Sequence, residues 1–155
     1  RAARVLMIAG LPMTICEGHE PDALARIARG EAVGTLFRAN SKPHEITGYK
    51  LWIALGDAAK GTIVVDDGAK IALKERGKSL LCVGVSRVTG NFEADDIVDI
   101  RDLQGHLFAR GKVNASWDEI DLARGHSTDQ MRRNRLLASM ADKPIIHRDE
   151  LVVFD

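Results

Sequence analysis

In the first forty residues, apolar positions alternate between helical and strand spacing. Arg1 to Gly10 gathers Val5, Leu6, Met7 and Ile8 into a short run closed by glycine, the pattern of a helix with a Gly stop. Met13 to Cys16 reads as a strand. Glu20-Pro21-Asp22 opens a second helix, with Pro suited to its first turn and Asp favourable to its dipole, and that helix runs through Leu24 and Ile27 to Gly30. Ala32 to Phe37 is the second strand. Helix, strand, helix, strand with short connections predicts a parallel α/β sheet. Two short strands cannot complete such a sheet, so their partners are expected upstream in a longer chain.

Residues 38–46 are polar and contain Pro43, which makes them a connection. A short helix over Tyr49 to Leu55 follows, with Trp52 and Ile53 as its bulky apolar residues. The small, aperiodic stretch 56–61 marks the domain boundary. Beyond it the period changes to many short strands broken by turns. Thr62 to Val65 is β-branched, and Asp66-Asp67 can cap a helix that runs to Gly77. Leu80 to Val83, Val85 to Val88, Ile97 to Arg101, His106 to Val113, Pro144 to His147 and Leu151 to Phe154 read as strands. Gly90-Asn91 and Asp102 to Gly105 are turns. Ser116 with Glu119 and Ser127 with Gln130 have capping-box spacing and start two short helices. The pattern therefore divides the chain into an α/β piece over 1–40, a linker with a short helix over 41–60, and a small mixed α+β barrel over 61–155.

Composition fits a packed globular protein: 45% of the residues are hydrophobic and 28% charged. Basic and acidic residues both number 22, so no global positive field draws the chain onto phosphate backbones or anionic membranes. Split at Lys60, the two parts carry +1 and −1. Cys16 and Cys82 each sit in an apolar run, as buried reduced thiols do, and neither has a Cys or His at ligand spacing. No apolar run approaches the roughly 18 residues of a membrane span and no signal peptide opens the chain. A reducing cytoplasm is the expected compartment.

Candidate chemistry is sparse. His147-Arg148-Asp149 invites comparison with the catalytic loop of protein kinases, but the metal-holding Asn that should follow is absent, leaving an exposed polar stretch between two strands. Gly84, Gly90, Gly105 and Gly111 fall at turns or strand ends, and none begins a phosphate-cradling loop. His19, His44, His106 and His126 are scattered, without the spacing of a metal site. Asp95-Asp96 lies in a turn. Arg132, Arg133 and Arg135 form the one basic cluster, read either as a solvated helix face or as a contact for RNA phosphates.

Several segments resemble one family. Glu31-Ala32-Val33-Gly34-Thr35-Leu36-Phe37 resembles the strand that closes the amino-acid-kinase domain of glutamate 5-kinases, and Ala2-Ala3-Arg4-Val5 and Ala9-Gly10-Leu11-Pro12 resemble its last helices and strands. Residues 61–69, 77–81, 88–92 and 146–152 are similar to that family's PUA domain. The chain departs from the pattern at Cys82, where relatives have Pro, at Ala115, where they have Tyr, at Tyr49, where Arg is expected, and across 138–143, which lack a Leu-Gly-Tyr.

The resemblance implies the end of an amino-acid-kinase fold followed by a PUA pseudo-barrel. It also implies a parent enzyme that moves the γ-phosphoryl of ATP, with Mg²⁺, to the side-chain carboxylate of glutamate, the first step of proline synthesis. The family's Gly-rich, Thr-Lys loop precedes the helix at Arg1, so no catalytic, nucleotide-binding or metal residue is carried over, and neither ATP nor Mg²⁺ is expected on this chain alone. The implied partners are the rest of the kinase domain and a homo-oligomer. The alternative is an RNA-binding PUA module of an RNA-modifying enzyme, with Arg132, Arg133 and Arg135 as its contacts.

Overall fold

The computed structural model describes Ala3, Leu6, Met7 and residues 11–38, 48–56 and 58–154. The connection predicted over 38–46, His44 and most of the opening helix lie outside the described residues, although Ala3, Leu6 and Met7 are helical. The chain divides into two compact units, Arg1–Leu51 and Trp52–Asp155.

In the first unit, strand β1 (Met13–Ile15), helix α1 (Ala23–Ala28) and strand β2 (Thr35–Phe37) follow one another. The two strands pair antiparallel, with Met13 opposite Phe37 and Ile15 opposite Thr35, which corrects the parallel arrangement expected from element order. The connection explains the difference. Arg26 donates to Glu20 at 2.6 Å and to Glu31 at 2.9 Å, tying the start of the α1 excursion to its end. Both ends therefore stay at the same end of β1, and the chain returns beside Ile15 instead of crossing to the start of the strand. Gly34 makes this return possible: its φ is +71°, and a Cβ there would lie 2.1 Å from the Ile15 carbonyl oxygen. Pro21 falls in the turn before α1 and not in its first turn, and Asp22 stands at the N-cap with φ 52° and no side-chain cap bond.

The second unit holds the C-terminal half of α2 (Gly48–Leu55), then β3 (Gly61–Val65), α3 (Asp67–Lys74), β4 (Val85–Gly90), β5 (Ile97–Arg101), β6 (Leu107–Lys112), α4 (Trp117–Ala123), α5 (Thr128–Arg133) and β7 (Leu151–Val153). The strands form one mixed sheet in the order β4-β3-β5-β6-β7. Only β3 and β5 run parallel, and β3–β4 and β5–β6 each carry one register irregularity. Alternation along β3 and β5 sends Ile63, Val65, Val98 and Ile100 inward, β6 buries Phe108 and Ala109 on both of its faces, and Leu73, Leu80, Ile120, Leu137 and Ile146 complete the core. In α2, Ile53 is buried while Trp52 is exposed, so only one of the two residues expected to pack there does so. Cys82 is buried, and burial raises its thiol pKa; Cys16 is only half-buried, against expectation.

Local chemistry sets the element ends. The Asp66 carboxylate accepts from the Ala69 N–H at 2.7 Å and caps α3. At α5, Gln130 accepts from the Ser127 N–H at 2.7 Å and Ser127 Oγ accepts from the Gln130 N–H at 3.3 Å, a complete capping box. Glu119 accepts from the Ser116 N–H at 3.0 Å at the start of α4.

The strands expected over Leu80 to Val83 and Pro144 to His147 are corrected to a single bridge, Leu80 opposite Ile146, followed by a 3-10 turn over Cys82–Gly84. The ladder stops because Pro144, the next residue that would bond Cys82, has no N–H to donate and its carbonyl accepts from Asn114 Nδ2 at 3.3 Å, and because the chain must turn at Gly84 to enter β4.

Two buried charges pin the sheet. Arg110 on β6 donates through Nε to its cross-strand neighbour Asp99 at 2.8 Å, while its Nη1 reaches the Ala54 and Gly56 carbonyls at 3.4 Å each. The guanidinium thus completes the C-terminal end of α2, where carbonyls lack partners within the helix. Asp102, in the β5–β6 turn, accepts from Lys70 Nζ at 2.8 Å and from the backbone N–H groups of Gln104 and His106. These bonds hold its carboxyl down at about 2.

Candidate functional site

One cleft in the second unit has the size of a ligand site, about 710 Å³. Helix α3 supplies one wall through Gly68, Ala69, Ala72 and Leu73. Residues 78–84 supply the other, and His147 and Arg148 complete the lining.

Backbone fit positions these walls. A Cβ on Gly84 would come within 2.5 Å of the Ala69 Cβ, so only glycine lets the 82–84 turn lie this close to α3. The Leu80–Ile146 bridge brings His147 and Arg148 to the cleft from some seventy residues further along the chain. The Arg148 N–H then donates to Ser79 Oγ at 3.0 Å, and His147 Nδ1 accepts from the Asp149 N–H at 3.3 Å. The stretch compared with a kinase catalytic loop is an exposed 3-10 turn, Arg148–Glu150.

The lining is mostly aliphatic. Leu73, Leu80 and Gly84 are buried in the floor, whereas Leu81 and Val83 present 45% and 50% of their surface. The polar groups at the rim are Lys78, Ser79, His147 and Arg148, against one lining carboxylate, Asp66, already accepting from Ala69. Lys78 makes no ion pair with any described residue. The cleft has no nucleophile held against a base, and among the described residues no group of three His, Cys, Asp or Glu side chains could hold a metal. It suits binding of an anion with an apolar body better than acid–base chemistry.

The basic cluster, read as a solvated helix face or as an RNA contact, is not part of the cleft lining. Arg132 lies on α5 and donates through Nη2 to Asp142 at 2.6 Å, which keeps its guanidinium firmly charged. Arg133 ends α5 and Arg135 follows in a turn; both are exposed, and neither pairs with a described residue. Sequence reasoning missed the cleft because its walls come from distant segments. The signals that could have found it were Gly77-Lys78-Ser79 and Ile146-His147-Arg148, two segments that carry the family resemblance.

Comparison with known proteins bears on both units. Residues 61–134 match the PUA domain family. The glutamate 5-kinase of Microcystis aeruginosa is 41% identical over 152 residues, covering 98% of this chain and 39% of that protein. The glutamate 5-kinase of Gloeobacter violaceus is 40% identical over 97% of this chain and 41% of its own length, and that of Acinetobacter baumannii is 35% identical over 99% and 40%. Among solved structures, a PUA domain from Aeropyrum pernix K1 superposes with a TM-score of 0.43 at 24% identity, covering 64% of this chain and 48% of that one. The chain thus spans about two fifths of the length of the curated relatives it matches. The similarity to glutamate 5-kinases runs across both units and, together with the PUA match, fits the PUA-bearing C-terminal part of those proteins.

Proposed function

We propose that this chain serves as the regulatory or architectural PUA module of a glutamate 5-kinase, while the transfer of phosphate from ATP to glutamate is carried out by the remainder of the whole protein. The observation that supports this reading is coverage: nearly all of the chain aligns with these kinases, yet it accounts for only about two fifths of their length. The whole enzyme is then a cytoplasmic homo-oligomer using ATP and Mg²⁺.

The cleft does not fit the metal. Mg²⁺ takes hard oxygen ligands, and the single lining carboxylate is engaged in capping α3 beneath a cationic rim. No step of phosphoryl transfer is therefore derived through it. Incubated with ATP, Mg²⁺ and glutamate, the chain alone is expected to give no glutamyl phosphate, while the whole protein turns over. Turnover by the chain alone refutes the reading.

RNA contact by the basic cluster is a second reading, supported by the two exposed guanidiniums of Arg133 and Arg135, which no described acid neutralises. Affinity for transfer RNA would then fall steeply with ionic strength and would weaken in an Arg133→Ala, Arg135→Ala variant. The absence of salt-dependent binding removes this reading.

A further inference from the structure

We propose that the cleft between α3 and residues 78–84 binds a small amphipathic anion, an apolar body ending in one carboxylate or phosphate. Three observations converge. The volume of about 710 Å³ falls within the range of pockets that enclose small ligands. Its walls are aliphatic, and Leu81 and Val83 leave about half their surface uncovered, so an apolar body entering there releases water from both surfaces. Lys78, His147 and Arg148 all belong to the lining, with the Arg148 N–H held on Ser79 Oγ next to Lys78, and the only lining carboxylate already accepts from the Ala69 N–H. An anion entering beside them finds donors, with Asp149, 3.4 Å from His147 and 3.8 Å from Arg148, as the acid it competes with.

Charge argues for one anionic group and not a string of phosphates. The chain is neutral overall, and Asp149, on the 3-10 turn beside Arg148, offsets that guanidinium with an Nε–Oδ1 distance of 3.8 Å. A polyanion gains affinity by neutralising many phosphates along a basic track, and the cleft supplies only a short cationic end. The lining also contains no Phe, Tyr or Trp ring, and His147 alone is no platform on which successive bases could stack. The cleft is lined wholly by residues of Trp52–Asp155, so binding to it is measurable without assaying kinase activity.

The test uses the full chain and two fluorescent dyes of similar shape, anilinonaphthalene sulfonate, which carries an anion, and phenylnaphthylamine, which does not. The sulfonate should bind the native chain. Lys78→Ala and Arg148→Ala should each weaken it by about tenfold while leaving the neutral dye unchanged. Leu81→Asp should abolish binding of both dyes. Displacement by decanoate or by phenyl phosphate would then distinguish a carboxylate from a phosphate as the natural head group. Equal binding of the two dyes, indifference of the sulfonate to both charge variants, or displacement by a single-stranded oligonucleotide at lower concentration than by either small anion overturns the proposal.

Discussion

The two units use similar residues to opposite ends. In the first, β1 and β2 are three residues each, and Leu24 on α1 leaves 81% of its surface in water, with Ile15 and Leu36 each leaving 54%. Among its described apolar residues only Ala23 and Val33 are buried, both just at the limit of burial. In the second, five strands and their helices enclose a core in which Ile63, Val98, Ile100, Ile120 and Ile146 are completely covered. Apolar side chains at the right period are thus not enough for stability; what counts is how much of each is removed from water. The first unit is held in shape chiefly by backbone pairing and by an exposed charge cluster, Arg26 and Arg29 with Glu20 and Glu31, of a kind that contributes little in water.

The contrast breaks most sharply where the second unit has no slack. Arg110→Ala removes the buried partner of Asp99, which keeps the longer contact to Arg101 at 3.7 Å, and uncaps α2, and should cost about 3 kcal/mol. Both tryptophans belong to this unit, so urea unfolding followed by tryptophan fluorescence reads the loss directly. Ile146→Ala empties a site that packs within 2.6 Å of where a Gly111 Cβ would stand, and should cost about 2–5 kcal/mol by the same measurement.

A smaller effect appears in acid. The Asp102 carboxyl is lowered from its ordinary 3.8 to about 2, chiefly by the hydrogen bond from Lys70 and further by those from His106, against a burial cost that pushes the other way. Its stabilising contribution is therefore complete above about pH 4 and is lost as pH falls through about 2. The urea midpoint should drop more over that window in the wild-type chain than in Asp102→Asn. Least of all, Leu24→Ser in the first unit should change stability by no more than about 0.5 kcal/mol. A loss of several kcal/mol there, measured by amide hydrogen exchange in α1, would show that the first unit is better packed than its exposure indicates.

Much of the second unit was legible in its sequence because short-range rules govern its element ends. The Asp66 cap, the Ser127–Gln130 capping box and the strand Ile97–Arg101 all follow from residues within a few positions of one another. What failed depended on distant partners. Strand order could not distinguish a parallel from an antiparallel β1–β2 pair, because the outcome rested on Arg26 linking Glu20 to Glu31 and on Gly34 returning beside Ile15. Leu80 to Val83 has strand composition, yet it forms only one bridge because the residue that would next face it, Pro144, has no N–H to donate. An arginine in mid-strand suggests an exposed position, and nothing local reveals that Arg110 is buried against Asp99 and the end of α2. The cleft is of the same kind: α3 and Arg148 meet only after the sheet has closed.

The single parallel pair in the sheet bears on how the second unit assembles. Strand β3 lies between β4, which reaches it across α3 and the 3-10 turn, and β5, which reaches it only after β4 has been passed as well. The β3–β4 ladder can form early, but the centre of the sheet waits on a long loop closure whose entropy is spent before the pairing returns it. Refolding speed should therefore be governed by capture of β5, and a chain arrested before that step would present β3 as an open edge ready to join a neighbour.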